Sequence, residues 1–446
     1  MLVPHNMSGK TVGILGLGLS GMAAARALVA GGADVWLHDD NISPDTMPRG
    51  ATLCDWRDWP WESLAAMVIS PGIPHHHPHP HDAAARAEEA GVEVISEIEI
   101  AMRAAPAARI VAVTGTNGKS TTTALIGHCL RHAGVPVTVG GNIGDPACDL
   151  EDPGKDGVIV LELSSYQLET TPSLRADVAI LLNITPDHLG RHGGMDGYVA
   201  AKGRIMDAAG TTGIVITGSD DAHVQGLAAA HVAAGGFVTL AKACDAPEGV
   251  SRAPSLAGGH NAVNAAVAAA CLRHLGMTKA ATSNSMAGFP GLAHRLQPVA
   301  QCRGITFVND SKATNGVAAA KALAAFDNIY WIAGGEAKED GLGEAATATG
   351  SVTHAYLIGR AADDFAAELG DDVPTTLSGD LESATVTAFA DASAARRAAT
   401  ILLSPAAASF DQFASFVARG EAFTAIAHRL AAREEMTGGS SGGAHA

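Results

Sequence analysis

A chain of 446 residues exceeds what one ordinary hydrophobic core accommodates and points to two to four domains. Its composition, 47% hydrophobic but only 4% aromatic, excludes a disordered chain and fits an alanine-rich, well-packed α/β protein. The formal charge of −17, with no basic block, excludes a nucleic-acid backbone as the main partner, so an anionic nucleotide has to be held by local devices.

Lys10 to Leu15 reads as a strand, followed by the turn Gly16-Leu17-Gly18-Leu19-Ser20-Gly21 and a helix. A second strand, Ala33 to Leu37, runs into His38-Asp39-Asp40. This is G-x-G-x-x-G with an acid about 20 residues on, the dinucleotide fingerprint. By itself it supports a nucleotide-type ligand, not NAD in particular. Glycines at Gly13, Gly16, Gly18 and Gly21 also make the Val12 to Ala30 run a strand and helix rather than a leader segment. Short strands at Val68 to Pro71 and at Val92 to Ile95 complete a Rossmann-like unit, residues 1–105. Between them the stretch Pro74 to His81 carries five histidines in eight residues. Its prolines prevent helical facing and no cysteine or acidic cluster accompanies it, so a solvated loop that takes up Ni²⁺ or Zn²⁺ only adventitiously is the expectation.

The chemistry concentrates in Ile110 to Thr123, IVAVTGTNGKSTTT. A β-branched run, the turn Gly115-Thr116-Asn117-Gly118-Lys119-Ser120-Thr121 and a helical pattern stopped by Gly134 make a phosphate cradle. Backbone N–H groups and the helix dipole favour phosphate, a lysine reaches its outer oxygens, and Ser120 or Thr121 is placed to ligand Mg²⁺. The match to G-x-x-x-x-G-K-[ST] is imperfect, because Val113 stands where the first glycine belongs. Strands at Val135 to Val139, Gly157 to Leu163 and Val178 to Asn183 follow. Glu162 closes an otherwise apolar strand, where a Mg²⁺ ligand or a capping acid is expected. Asp187 and His188 fall at the carboxyl edge of the sheet, where parallel strands deliver ligands. Lys202 lies on the helix Gly197 to Met206. Asn261 and Asn264, neighbours at i, i+3 on a helix ending near Leu275, present one amide face that either reads an adenine or caps the helix.

Phe289-Pro290-Gly291 is the best hinge and closes a central domain, 106–290. The third domain, 291–436, repeats the strand-then-turn rhythm at Ile305 to Asn309, Ile329 to Ala333, Ala355 to Ile358 and Thr400 to Leu403. Residues 437–446, TGGSSGGAHA, read as a disordered tail. Six cysteines are scattered without CxxC or zinc spacing, as in a reduced, cytoplasmic protein. No apolar run of about 18 residues escapes glycine or polar breaks, so no membrane span is expected.

Together these motifs resemble those of the Mur ligases, the ATP-dependent amino-acid ligases of peptidoglycan precursor synthesis, over essentially Lys10 to Arg433. The shared pieces are the Gly115 loop, Glu162, the His188 segment, Lys202, Asn261 with Asn264, and His294-Arg295. Leu161 to Leu168, Asp310 to Asn315 and Leu403 to Phe413 resemble the branch that adds D-glutamate to UDP-N-acetylmuramoyl-L-alanine. The resemblance implies three α/β domains: a uridylate-binding Rossmann-like domain, a P-loop ATPase domain and an amino-acid-binding domain, in a monomer whose third domain closes around ATP. It implies that Lys119 and the loop hold the ATP phosphates. One Mg²⁺ would be held by Ser120 (or Thr121) and Glu162, and a second by His188, with a carbamylated Lys202. Asn261 and Asn264 would face the adenine, and Arg295 with Asp310 the ribose and phosphates. The uridylate substrate would fall to Gly18, Ser20, Asp39, Asp40, Ser70 and Asn142. The third-domain substrate residues would be His294, Lys312, Thr314, Lys338, Ser409 and Phe416. Gly190 stands where the family usually carries an acid, and Phe410 replaces a commoner leucine. An oxidoreductase built on the Gly16 turn would leave Lys119, Glu162 and Lys202 without a purpose.

Overall fold

The computed structural model describes residues 1–40, 47–256, 258–337 and 341–438, apart from the side chains at 254 and 435–438. Two compact units emerge: Met1–Arg252 with Gly259–Phe289, and Ala253–Gly258 with Pro290–Ala446. No described helix is long and apolar enough to cross a membrane.

The first unit holds two sheets. Strands β1 (Thr11–Leu15), β2 (Asp34–His38), β3 (Ala51–Leu53), β4 (Leu64–Ile69) and β5 (Glu93–Ile95) form a parallel sheet in the order β3-β2-β1-β4-β5. The second contains β6 (Arg109–Thr114), β7 (Val137–Gly141), β8 (Val158–Glu162), β9 (Val178–Leu181), β10 (Ile214–Thr217) and β11 (Phe237–Leu240). It runs β11-β10-β9-β6-β8-β7, again all parallel. The apolar runs of β6 and β8 are buried almost throughout, as strands covered by helices on both faces must be. In each sheet the order reverses beside a central strand, β1 or β6, and this opens a crevice at the carboxyl ends where ligands bind in such folds.

The two sheets share one apolar core. Val12, Leu28 and Ile98 belong to the same cluster as Ala112, Ile159 and Leu181. Polar bonds stitch the seam. Ser96 Oγ lies 2.7 Å from Thr171 Oγ1, the buried Glu97 carboxylate accepts the Cys148 N–H at 2.5 Å, and Arg26 pairs with Asp149 at 2.6 Å.

The second unit carries β12 (Gln297–Cys302), β13 (Ile305–Asn309), β14 (Ile329–Gly334), β15 (Val352–Ile358), β16 (Thr375–Gly379) and β17 (Ala399–Leu403) in the order β12-β13-β17-β14-β15-β16. Only β12 among these is antiparallel to its neighbour.

Several expected boundaries move. β9 stops at Leu181 because Asn183 turns its side chain to the phosphate loop instead of extending the ladder. The Lys202 helix begins at Met195, two residues before Gly197. The last helix, Phe416–Gly438, continues through Thr437 and Gly438, so the expected tail is shorter at its start, and 439–446 lie outside the described residues. In the histidine stretch, 76–80 are exposed, but His75 is half-buried and His81 caps the next helix through Nδ1. Among the described residues no group of three or more His, Cys, Asp or Glu could hold a metal ion.

Candidate active site

The loop after β6 requires its glycines. Gly115 (φ +152°) and Gly118 (φ +85°) occupy backbone regions that other residues rarely adopt, and a Cβ on Gly118 would collide with Asn264. Gly118 is the N-cap of the helix Lys119–His132. Residues after β9 brace the rim. The Asn117 N–H donates to Asn183 Oδ1 at 2.9 Å, and Thr116 Oγ1 lies 2.9 Å from Tyr198 Oη. Lys119 Nζ donates to the carbonyls of Gly115 and Thr116, each at 2.9 Å. Ser120 is buried and Thr121 half-buried at the helix start.

Lys202 Nζ reaches the same Gly115 carbonyl at 2.9 Å. Burial first, and the Lys119 ammonium second, hold the Lys202 amine down to about 7, against the opposing pull of Asp187 and Glu162. Glu162 is buried at the end of β8, where Oε1 accepts from Asn142 Nδ2 at 2.9 Å while Oε2 has no hydrogen-bond partner. An orphaned buried carboxylate oxygen costs free energy unless a cation or donor meets it, so Glu162 Oε2 is available to a bound cation. His188 takes left-handed backbone (φ +53°) at the start of a short helix and places Nε2 3.5 Å from Asp187 Oδ2. Such strain in a non-glycine residue persists only where the surroundings fix it, and it is concentrated at functional sites. Lys119, Asn142, His188 and Lys202 open together onto a cleft of about 300 Å³.

Asn261 and Asn264 are brought together but buried: Asn264 Nδ2 donates to Asn261 Oδ1 at 3.1 Å, and the pair packs under Gly118. One amide hydrogen is therefore spent on the partner.

In the first sheet, Gly18, Ser20, Asp39, Asp40 and Ser70 surround a second cleft, of about 490 Å³. Ser70 Oγ donates to the Gly16 carbonyl at 2.8 Å and Asp39 Oδ2 accepts the Leu17 N–H at 2.6 Å, so both side chains also build the turn.

In the second unit Asp310 is buried. Desolvation pushes its carboxyl up to about 7 although Ser404, the Leu296 N–H and Arg295 oppose it. Lys312 Nζ sits 3.9 Å from the Phe416 ring centre, and buried Ser409 Oγ has no partner. Thr314 is half-buried and Lys338 lies outside the described residues. His294 is buried, with Nδ1 3.1 Å from Asn309 Nδ2.

Sequence reasoning missed Arg419. The residue is 1% exposed, and its guanidinium donates to Ser311 Oγ and to the carbonyls of Ser311, Gly334, Ala407 and Ala408. It ties the Ser311 turn to the Ser409 loop from beneath. Arg419→Ala is expected to destabilise the protein by at least about 3 kcal/mol, since several buried carbonyls lose their donor; denaturant unfolding measures it. Also unforeseen was Arg191, which donates to the carbonyls of Pro71, Ile73 and His77 and stacks 4.8 Å over Tyr166. The Arg191 partners, and Ser311 and Gly334 for Arg419, are far away in the chain, and no motif marked either arginine.

Residues 113–250 match the profile of the Mur ligase middle domain, and 294–408 that of the Mur ligase glutamate ligase domain. The chain is 44% identical to the UDP-N-acetylmuramoylalanine–D-glutamate ligase of Caulobacter sp. (strain K31), across 96% of this chain and 98% of that one. It is 45% identical to the ligase of the same name from Phenylobacterium zucineum, across 97% and 98%. Among solved structures it resembles the MurF ligase of Thermotoga maritima in complex with ADP, with a TM-score of 0.57 at 15% identity over 97% of this chain and 98% of that one. At that identity the likeness shows the fold alone.

Proposed function

The chain belongs to the Mur ligase family, and from that premise we propose that it joins the amine of D-glutamate to the alanyl carboxylate of UDP-N-acetylmuramoyl-L-alanine at the expense of ATP. The observation that carries the reading is the Gly115 carbonyl shared by Lys119 and Lys202, beside the unpartnered Glu162 oxygen. A dehydrogenase needs none of these groups.

The γ-phosphoryl passes to the carboxylate, the amine attacks the resulting acyl phosphate, and the tetrahedral adduct expels phosphate. Transfer of this kind is positioning and charge neutralisation. Lys119 and the loop N–H groups hold the ATP phosphates. Ser120 (or Thr121), Glu162, His188 and Lys202 would hold Mg²⁺ at two sites, and that cation supplies neutralisation of the transferring charge. As an ammonium Lys202 would repel cations. Held near 7, its amine is free at neutral pH to attack CO₂, forming an N–C bond and releasing a proton, and the resulting carbamate is an anion. Asn142 orients Glu162 through its amide. Asn261 and Asn264 lie on the adenine side, and Arg295 with Asp310 serves the ribose and phosphates. Gly18, Ser20, Asp39, Asp40 and Ser70 serve the uridylate. Lys312, Thr314, Lys338, Ser409 and Phe416 serve the two D-glutamate carboxylates, and His294 is a further substrate contact of this domain. We read three domains, 1–105, 106–290 and 291–436, in a cytoplasmic monomer.

Phosphate release measured with ATP, the uridylate acceptor and a panel of amino acids tests this. Release is expected only when D-glutamate and the acceptor are both present. Product with L-alanine or a diamino acid, and none with D-glutamate, would overturn the assignment.

A further inference from the structure

Behind the Lys202 cleft, Ser165, His192 and Glu169 form one continuous chain of hydrogen bonds. His192 Nδ1 lies 2.8 Å from Glu169 Oε1, and Nε2 lies 2.9 Å from Ser165 Oγ. The imidazole side chain is fully shut from water while the Glu169 side chain keeps 24% of its exposure. Tyr166 stacks on the ring at 5.2 Å and 22°. Ser165, itself 2% exposed, opens onto the cleft beside Lys119, His188 and Lys202. The phosphoryl-transfer chemistry above uses none of the three.

Their order dictates a polarity. For a neutral ring, the tautomer that satisfies both contacts carries its hydrogen on Nδ1, donated to the Glu169 carboxylate, and keeps the Nε2 lone pair. That lone pair takes the Ser165 hydroxyl hydrogen. A serine hydroxyl otherwise rotates to suit its surroundings, but here it is turned away and only its lone pairs face the cleft. Neighbouring hydroxyls are engaged elsewhere: Ser164 Oγ donates to Gln167 Oε1 and accepts the Gln167 N–H, and Tyr198 Oη bonds with Thr116 Oγ1. Ser165 is thus a fixed acceptor among cationic and amide donors.

We propose that Ser165 accepts a hydrogen bond from the amide N–H of the carboxylate-bearing substrate, and that His192 and Glu169 are positioning residues that hold the serine hydroxyl in that orientation. This rests on the ligase reading, in which the acceptor's alanyl residue carries an amide nitrogen on the carbon that bears the reacting carboxylate. An acceptor fixed at this point discriminates against a substrate lacking that N–H, because the buried hydroxyl is then left without its donor.

The experiment compares Ser165→Ala, His192→Phe, which keeps the ring stack but removes both nitrogens, and their double variant. Each single change is expected to raise KM for UDP-N-acetylmuramoyl-L-alanine by about 10-fold or more, leave KM for ATP within about twofold, and prove non-additive in the double variant. His192→Gln, whose amide oxygen can accept the same hydrogen, should recover part of the loss. Additive losses, or a loss shared equally with ATP, would overturn the proposal. Independently of turnover, ¹⁵N NMR of the substrate-free wild-type protein should show His192 protonated at Nδ1 and bare at Nε2, and a proton on Nε2 would sink the relay. Absence of D-glutamate ligation by the wild type would instead count against the ligase reading, while the tautomer would still decide the relay.

Discussion

Lys119→Ala is expected to reduce phosphate release by about 10³-fold or more, the scale of losing one preorganised charge from a phosphoryl-transfer site. The fold should survive, because Lys119 is the first residue of its helix and alanine is a good helix former. Two effects add. The direct one is loss of the cation facing the outer phosphates. The indirect one runs through Lys202, whose amine is kept low partly by the Lys119 charge. Without that charge Lys202 holds its proton to higher pH and takes up CO₂ less readily. Single-turnover phosphate release, with melting temperature as the control for folding, measures the loss. Turnover like that of the wild type would remove the loop from the mechanism.

Lys202→Ala should be as damaging, and differently repairable. With the side chain gone, a short carboxylate added in solution can occupy the vacated space and return part of the activity. Acetate or formate is expected to rescue Lys202→Ala but not Lys119→Ala. In the unaltered protein, the direction with pH follows from the lowered amine. Below about 7 the group is an ammonium and cannot attack CO₂; above it the free amine predominates. At equal dissolved CO₂, enzyme stripped of CO₂ should therefore regain activity faster at about pH 8 than at about pH 6. Unchanged activity in Lys202→Ala would exclude a carbamate.

The Gly115–Thr121 loop was legible because its cues are local: a β-branched run, two glycines and a helical pattern from Thr122, although the helix itself starts earlier, at Lys119. β13 could be read to its limits for the same reason, as a short apolar run ending at Asn309 before a turn. What could not be read was the shell behind the site. His192 meets Ser165 and Glu169 across 27 and 23 residues, and Arg419 meets Ser311 across 108. Such pairings are made by tertiary packing, and single-chain periodicity carries no trace of them. The same holds for the contact between His294 Nδ1 and Asn309 Nδ2, 15 residues apart.

The seam between the first two sheets has a thermodynamic reading. Because Leu28 and Ile98 pack in one core with Ile159 and Leu181, neither sheet can open without exposing apolar surface of the other. The sheet that carries the Gly16 turn and the phosphate-loop sheet therefore melt as one cooperative block. By linkage, a ligand gripping either crevice stabilises both. Whatever free energy a ligand gains in the Gly16 crevice is shared by the frame that keeps Lys119, Glu162 and Lys202 in place, so anchorage at one crevice stiffens the other.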